Sequence, residues 1–154
     1  MTEPPLHGLE VQYATEQKSV PDKQQLSAWV QAGLEGCDPR TELVIRIVDE
    51  AESRALNSQY RGRDKPTNVL SFDFEIPAGV NSHHLGDLVI CAPVVNREAA
   101  EQGKARQAHW AHMVVHGLLH LQGYDHQNDQ EASMMESHEI SLLKKLGFEN
   151  PYES

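Results

Sequence analysis

The chain has 154 residues, with 23 acidic side chains against 13 Lys and Arg, which gives a formal net charge of −10. This length is typical of one domain, and we expect residues 1–154 to form one. An apolar content of 39% fits a globular protein, and no apolar stretch approaches the roughly 20 residues of a membrane span. The acidity argues against a protein that coats nucleic acid, because such binding usually needs excess Lys and Arg.

Two features favour a reducing cytoplasm as the location. The N-terminus, Met1 to Pro5, lacks the basic start and apolar core of a signal peptide. Cys37 and Cys91 are far apart and show no paired-cysteine spacing, so we expect neither a disulfide framework nor a cysteine zinc site. We therefore expect a cytoplasmic protein without membrane partners.

Hydrophobic patterning predicts two strands and two helices, in alternation, over the first 60 residues. The predicted ranges are strand 9–13, helix 21–33, strand 44–48 and helix 49–60. Asp49 and Glu52 have the spacing of a capping pair, and we expect them to open the second helix.

The remainder predicts two strands followed by three helices. The predicted ranges are strands 68–74 and 88–91, and helices 93–102, 107–121 and 129–146. Pro77 and Gly79 end the first of these strands, and Gly103, Gly123 and Gly147 end the helices. Helices and strands mixed in this order indicate an α/β or α+β layer, in which a sheet packs on helices.

The most informative segment is the histidine cluster at residues 116–126. His116 and His120 are four residues apart on a predicted helix, so both imidazoles project from one face about one turn apart. Gly123 permits a turn that can bring His126 back towards them. Three imidazoles with a fourth position open describe a catalytic zinc site, and we predict that these three histidines hold the metal.

Gly117 distinguishes this segment from zinc peptidases. The histidine spacing equals the metzincin pattern H-E-x-x-H-x-x-G-x-x-H, but Gly117 replaces the glutamate that serves those enzymes as general base. Such a site keeps Lewis acidity and loses the peptidase base, which weighs against proteolysis. Asp125 is expected to orient a histidine ring or to act as a turn residue. In a peptidase, Asp125 is the residue that could replace the missing glutamate as general base. His109, His112 and His138 are interpreted as helix histidines without a metal role.

The second informative feature is a basic loop between a predicted helix and a predicted strand. Arg61, Arg63 and Lys65 fall within five positions, beside a glycine and a proline. A short charged loop is usually solvated surface. Arginine, however, presents a planar fork that grips phosphate through two hydrogen bonds. Arginine with a metal is the usual pair that stabilises charge on a reacting phosphoryl group, so the loop favours phosphoryl chemistry.

Together these segments resemble the YbeY endoribonucleases, which are bacterial factors for ribosomal RNA maturation. Residues 116–126 match that family's signature H-G-x-L-H-L-x-G-Y-D-H at every fixed position. Also similar are residues 60–62, 64–72, 85–90, 110–115 and 147–152. The resemblance covers the chain from about residue 40 to the end.

The resemblance implies a compact α+β fold with a mixed four-stranded sheet, five or six helices and a metzincin-like zinc-site helix. It implies one zinc ion held by His116, His120 and His126, and metal-dependent cleavage of single-stranded RNA. The family's functionally important arginine falls on Arg61, and His116 is the histidine most tied to activity. Asp87 matches an acidic family position, which we expect near the cleft or at a contact with a ribosomal protein.

The implied setting is 3′-end maturation of small-subunit ribosomal RNA and ribosome quality control. The expected partners are single-stranded ribosomal RNA, small-subunit ribosomal proteins and an assembly GTPase, without DNA. Arg63 and Lys65 are candidate RNA-binding residues. Residues 54–65 carry a net charge of +3, whereas residues 125–153 hold seven acidic and two basic side chains. This uneven charge predicts a single cationic cleft, weak intrinsic RNA affinity and delivery of the substrate by ribosomal partners.

Two other functions remain open at this point. A zinc metallopeptidase is suggested by the metzincin spacing and disfavoured by Gly117. A non-catalytic ribosome-assembly factor with a structural zinc would need a fourth protein ligand, such as Asp125.

Overall fold

The computed structural model describes residues 8–73, 83–124 and 127–152, which contain four strands and five helices. The strands are β1 (Gly8–Ala14), β2 (Glu42–Val48), β3 (Val69–Asp73) and β4 (His84–Cys91). The helices are α1 (Lys23–Gly33), α2 (Glu50–Arg61), α3 (Ala92–Glu101), α4 (Arg106–Leu121) and α5 (Asp129–Lys145). Every predicted element is present, although β4 begins before its apolar run at residue 88. Phe74, Pro77 and Gly79, at the predicted end of β3, lie outside the described residues.

The four strands form one mixed sheet in the order β1-β2-β4-β3. β2 pairs in parallel with β1 and with β4, whereas β3 pairs with β4 in antiparallel orientation. Ile45 of β2 is opposite Leu88 of β4, which is in turn opposite Ser71 of β3. The predicted α+β fold, with a mixed four-stranded sheet and five helices, is therefore confirmed, and β3 is an edge strand within the described residues.

Side-chain alternation along the strands separates two apolar layers. Ile45, Leu88 and Ile90 point into the larger core with α1, α4 and α5, where Trp110 and Leu118 are fully buried. The other face of the sheet carries a smaller core under α2. Its buried members are Val48, Leu70, Val89, Cys91 and Val94. The candidate site residues of α4 therefore project from a helix that the larger core holds in place.

α4 is the central helix, in contact with α1, α3, α5, β3 and β4. Gly33 of α1 permits one of these close approaches, because a Cβ atom there would lie 2.6 Å from Leu118 Cδ1. Within the three described ranges, no helix combines the length and hydropathy that crossing a bilayer requires.

The predicted capping pair of α2 is wrong. Asp49 is the N-cap residue, as expected, but its side chain makes no capping hydrogen bond. It accepts a hydrogen bond from the Thr15 hydroxyl instead. Glu52 pairs with Arg46 of β2, with Nε 2.5 Å from Oε2. Both carboxylates thus connect α2 to the sheet, because tertiary partners compete with local capping.

Candidate active site

A cleft with a volume of about 550 Å³ opens along the outer edge of β3. Its walls come from the end of α2, the loop that follows, β3 and the end of α4. The lining residues include Arg61, Asn68, Ser71, Asp73, His116 and His120. The basic loop and the histidine helix, which are distant in sequence, therefore meet at one site.

Both members of the predicted helix pair line this cleft. The rings of His116 and His120 project from the same side of α4, with centroids 4.7 Å apart. Both residues are partly buried, so each ring is accessible from the cleft and shielded on its other side. This separation suits two ligands of one metal ion, as the four-residue spacing predicts.

The chain reverses directly after His120, at the predicted glycine. Gly123 has a φ of 100°, a backbone conformation that is unfavourable for residues with a Cβ atom. Gly123 and the next residue each donate a backbone N–H to the last turn of α4, at 3.0 Å, which forms a Schellman motif. Asp125 and His126, the predicted outer partner and third ligand, follow this turn and lie outside the described residues.

A buried carboxylate lies behind the two histidines, and the sequence did not reveal it. Glu139 of α5 is 0% exposed. Its Oε1 accepts a hydrogen bond from His116 Nδ1 at 2.7 Å. Its Oε2 accepts from His112 Nε2 at 2.8 Å and from the Tyr152 hydroxyl at 2.5 Å. Burial alone would raise the pKa of Glu139, but the hydrogen bonds from its three donors outweigh this effect and lower the pKa to about 2.

These hydrogen bonds determine the ring tautomers. An ionised carboxylate only accepts hydrogen bonds, so His116 carries its proton on Nδ1 and has its metal-binding lone pair on Nε2. His112 carries its proton on Nε2, and its buried Nδ1 has no hydrogen-bond partner within the described residues. Burial and the hydrogen bond to Glu139 also raise the pKa of Tyr152.

The buried group of His112, His116 and Glu139 could hold a metal ion, since one ligand atom from each lies within 4.8 Å of the others. The sequence interpretation assigned His112 no metal role, so its place in this group was missed. An ion there would displace the hydrogen bonds that already satisfy the carboxylate. An ion in the cleft, bound through Nε2 of His116 and through His120, would keep them. The residues therefore fit a metal in the cleft, with Glu139 as the acceptor behind it.

The environment of Gly117 gives a packing reason for the missing peptidase base. A Cβ atom at this position would lie 2.7 Å from Leu88 Cδ2 and 3.4 Å from Ser71 Oγ. The Ser71 hydroxyl also donates to the Gly117 carbonyl oxygen at 3.3 Å. Position 117 thus packs directly on the sheet, where a glutamate carboxylate would enter an apolar layer.

Buried polar residues of α2 hold the basic loop at the cleft. Gly62 ends α2 in the left-handed conformation, with a φ of 68°. Asn57 Nδ2 donates to the carbonyl oxygen of Lys65 at 2.8 Å. Ser53 Oγ bonds both the N–H and the carbonyl oxygen of Thr67, each at 3.0 Å. Because Ser53 and Asn57 are each 1% exposed, the loop is held from its inner side by buried side chains of α2.

The cations of this loop differ in their partners. Arg54 of α2 forms two hydrogen bonds with Asp64, at 2.7 and 2.9 Å. Arg61, Arg63 and Lys65 are exposed, and none of them forms an ion pair within the described residues. Arg61 is among the described residues that line the cleft, and Arg63 and Lys65 are outside that set. Three positive charges therefore remain available to an anionic ligand.

Asp87 is absent from the cleft lining within the described residues, but it pairs with Phe72 of β3, between the lining residues Ser71 and Asp73. It lies on β4, where His84 Nε2 is 2.9 Å from its Oδ1. Both side chains are about one-third exposed, so the pair is accessible to a partner protein. Both expected placements of Asp87, near the cleft or at a contact with a ribosomal protein, stay predictions.

Two comparisons with known proteins identify one family, and a third identifies a similar fold. A family model described as Endoribonuclease YbeY matches residues 10–147. An Endoribonuclease YbeY from Methylococcus capsulatus is 63% identical over 134 residues, covering 87% of this chain and 88% of that protein. A protein of Thermotoga maritima, whose structure was determined in solution, has a similar fold, with a TM-score of 0.56 and 21% sequence identity. The match covers 94% of this chain and 99% of that chain. This last likeness shows the fold alone, whereas the first two show that the chain belongs to the YbeY endoribonuclease family.

Proposed function

We propose that this protein is a zinc-dependent endoribonuclease that cuts single-stranded RNA, with residues 1–154 forming one catalytic domain. Its proposed role is 3′-end maturation of small-subunit ribosomal RNA and ribosome quality control. The observation that carries the proposal is the meeting of Arg61 with His116 and His120 in one cleft. Membership of the YbeY endoribonuclease family supports RNA as the substrate.

The proposed zinc ligands are His116, His120 and His126. Three neutral imidazoles are a donor set that zinc accepts with one position open to substrate. When bound, the ion supplies Lewis acidity at the scissile phosphate. Glu139 holds the His116 ring through a hydrogen bond of 2.7 Å. Asp125 is proposed to orient a ligand ring from the turn after α4.

Arg61 is proposed to stabilise the negative charge that develops on the reacting phosphate. Its guanidinium can donate two parallel hydrogen bonds to phosphate oxygens. The buried anchors Ser53 and Asn57 hold the loop that follows Arg61, so the backbone beside the arginine is fixed before substrate arrives. Arg63 and Lys65 extend the positive charge beyond the cleft and are proposed to contact neighbouring phosphates.

An exposed aromatic ring beside Arg61 supports a preference for single strands. Tyr60 is 60% exposed, and its ring packs edge-to-face against Phe72 with centroids 5.1 Å apart. An unpaired base can stack on such a braced ring, whereas a base within a duplex is already stacked on its neighbours. We include Tyr60 as a candidate base-stacking residue.

The charge distribution supports the need for partners. With a net charge of −10, the protein is expected to bind RNA weakly by itself, because the excess of positive charge is confined to residues 54–65, which carry +3. Small-subunit ribosomal proteins and an assembly GTPase are proposed to deliver the RNA in the cytoplasm, and Asp87 is a candidate contact for one of them. Neither DNA nor a membrane has a part in this proposal.

The peptidase alternative has less support, because the chain has glycine at the position of the glutamate base, and a Cβ atom there would lie 2.7 Å from Leu88 Cδ2. A non-catalytic factor with a structural zinc would need a protein ligand that closes the fourth position. Neither alternative explains why the loop beside the histidines carries three cations that form no ion pair with any described residue.

One assay separates the three functions: purified protein is incubated with single-stranded RNA, double-stranded RNA and casein, with and without a chelator. We expect chelator-sensitive cleavage of single-stranded RNA alone. His116→Ala and Arg61→Glu should each abolish it. Arg40→Glu is the matched control, since Arg40 is a surface arginine before β2 that pairs with Asp38. Cleavage that persists in both variants would come from a contaminating nuclease and would contradict the proposal.

A further inference from the structure

We infer that Glu139 and Tyr152 are positioning residues of the metal site, so that the segment after α5 sets the metal affinity of the cleft. The inference rests on the proposed function, because it takes His116 as a zinc ligand. It adds two residues from segments outside the described lining of the cleft.

A hydrogen bond between α4 and α5 holds the ring of His116. Glu139 on α5 accepts from His116 Nδ1 on α4 at 2.7 Å. The carboxylate is 0% exposed, so no bulk water competes for this bond. Once Nδ1 is held, the plane of the imidazole and the direction of its Nε2 are determined as well. The ring therefore does not have to be ordered when a metal binds.

Two further hydrogen bonds fix the carboxylate of Glu139. The other oxygen of Glu139 accepts from His112 Nε2 at 2.8 Å and from the Tyr152 hydroxyl at 2.5 Å. With a donor on each side, the carboxylate cannot rotate without breaking a buried hydrogen bond. The orientation of His116 consequently depends on Tyr152, to which it is linked through Glu139 by two hydrogen bonds.

Contacts of the segment after α5 hold Tyr152 in position. The residue is 47% exposed, yet its hydroxyl reaches the buried carboxylate. Its segment is tied to α1 by the edge-to-face contact of Phe148 with Trp29, with centroids 6.2 Å apart. Lys104 Nζ donates to the Pro151 carbonyl oxygen at 2.8 Å. These anchors hold Tyr152 in place, so the end of the described chain completes the support of the cleft.

The test is the zinc affinity of the purified full chain, measured without RNA by competition with a chelating dye. Glu139→Gln should weaken zinc binding roughly 10- to 100-fold, as is usual for residues that orient a metal ligand. Tyr152→Phe removes a single hydroxyl and should weaken it in the same direction, by roughly 2- to 10-fold. The absorption spectrum of the Co²⁺-substituted protein should keep its band positions in both variants, because the ligands themselves are unchanged.

Two matched controls separate positioning from general packing. Tyr13 is also 47% exposed, and its hydroxyl donates to the Pro21 carbonyl oxygen at 2.8 Å, at the opposite edge of the sheet. Glu98 accepts from His109 Nε2 on α4 at 2.9 Å, as Glu139 does from its own histidines. Tyr13→Phe and Glu98→Gln should both bind zinc as the unaltered protein does.

Wild-type zinc affinity in folded Glu139→Gln and Tyr152→Phe would overturn the inference. Shifted Co²⁺ bands in Glu139→Gln would overturn it too, since Glu139 would then be a ligand. If Glu139→Gln fails to fold, the affinity of Tyr152→Phe decides alone. A protein that binds zinc as expected but leaves single-stranded RNA intact would refute the proposed function and not this inference.

Discussion

The histidine wall of the cleft, formed by α4 with His116 and His120, is held from within the core, whereas the arginine wall, formed by the loop of Arg61, Arg63 and Lys65, is exposed. On the first wall, His116 donates to a carboxylate that no solvent reaches. On the second, the three cations form no ion pair within the described residues. Ligand geometry benefits from rigid support, and attraction of an anion benefits from unpaired charge. The two walls therefore suit different tasks.

The largest expected effects come from one substitution on each wall. His116→Ala should lower cleavage of single-stranded RNA at least about 10²- to 10³-fold and also lose the zinc ion, because it removes a ligand. Arg61→Ala should lower kcat by about 10²- to 10³-fold while zinc is retained, because it removes only charge stabilisation. Steady-state kinetics and elemental analysis of the same preparations provide the two readouts. Loss of zinc in Arg61→Ala would show that the walls are not independent.

The packing under the histidine wall can be tested at Gly117. Gly117→Ala should lower the free energy of unfolding by about 1–3 kcal/mol, because the new methyl group must displace Leu88 in a filled core. Denaturant titration gives this value, and Gly33→Ala, which crowds Leu118 in the same way, is the companion variant. Casein cleavage by a folded Gly117→Glu protein would contradict the packing account of the missing base.

The single-strand preference assigned to the arginine wall can be tested at Tyr60. Tyr60→Ala should weaken binding of single-stranded RNA by about 1–3 kcal/mol, because one stacked base loses its platform. Tyr60→Trp should retain the affinity. Fluorescence anisotropy at fixed salt measures both, and equal affinities for the alanine and tryptophan variants would remove Tyr60 from the interface.

The smallest expected effect is a change in salt dependence. Combining Arg63→Ala with Lys65→Ala should reduce the slope of log K against log salt by about 1.4, since each phosphate contact on a single strand contributes about 0.7. Arg40→Ala, which removes an arginine outside the loop, should leave the slope unchanged. A double variant with the wild-type slope would show that these two residues do not contact the RNA.

The secondary structure was predictable because its signals are local. Apolar periodicity located all nine described elements within a few residues. The order of the strands was not predictable, since β2 pairs with β4 across an intervening helix and strand. The capping pair at Asp49 and Glu52 failed for the same reason, because Thr15 and Arg46 approach from distant segments.

The candidate site also has residues that the sequence identified and one that it did not. The spacing of His116 and His120 identified their shared face, and the loop chemistry singled out Arg61. Glu139 was missed because it meets His116 only through the packing of α5 on α4. One signal was present, however: Glu139 lies in the buried stripe of α5 between Met135 and Leu143, four residues from each. A carboxylate within an apolar stripe indicates a buried partner.

The position of the metal ion is the central prediction, and a crystal structure of the zinc-loaded protein tests it directly. We predict an ion in the cleft on Nε2 of His116, with His120 and His126 as further ligands at about 2.0–2.1 Å. Glu139 should still accept from Nδ1 of His116. An ion bound instead between His112, His116 and Glu139, away from Arg61, would contradict the account.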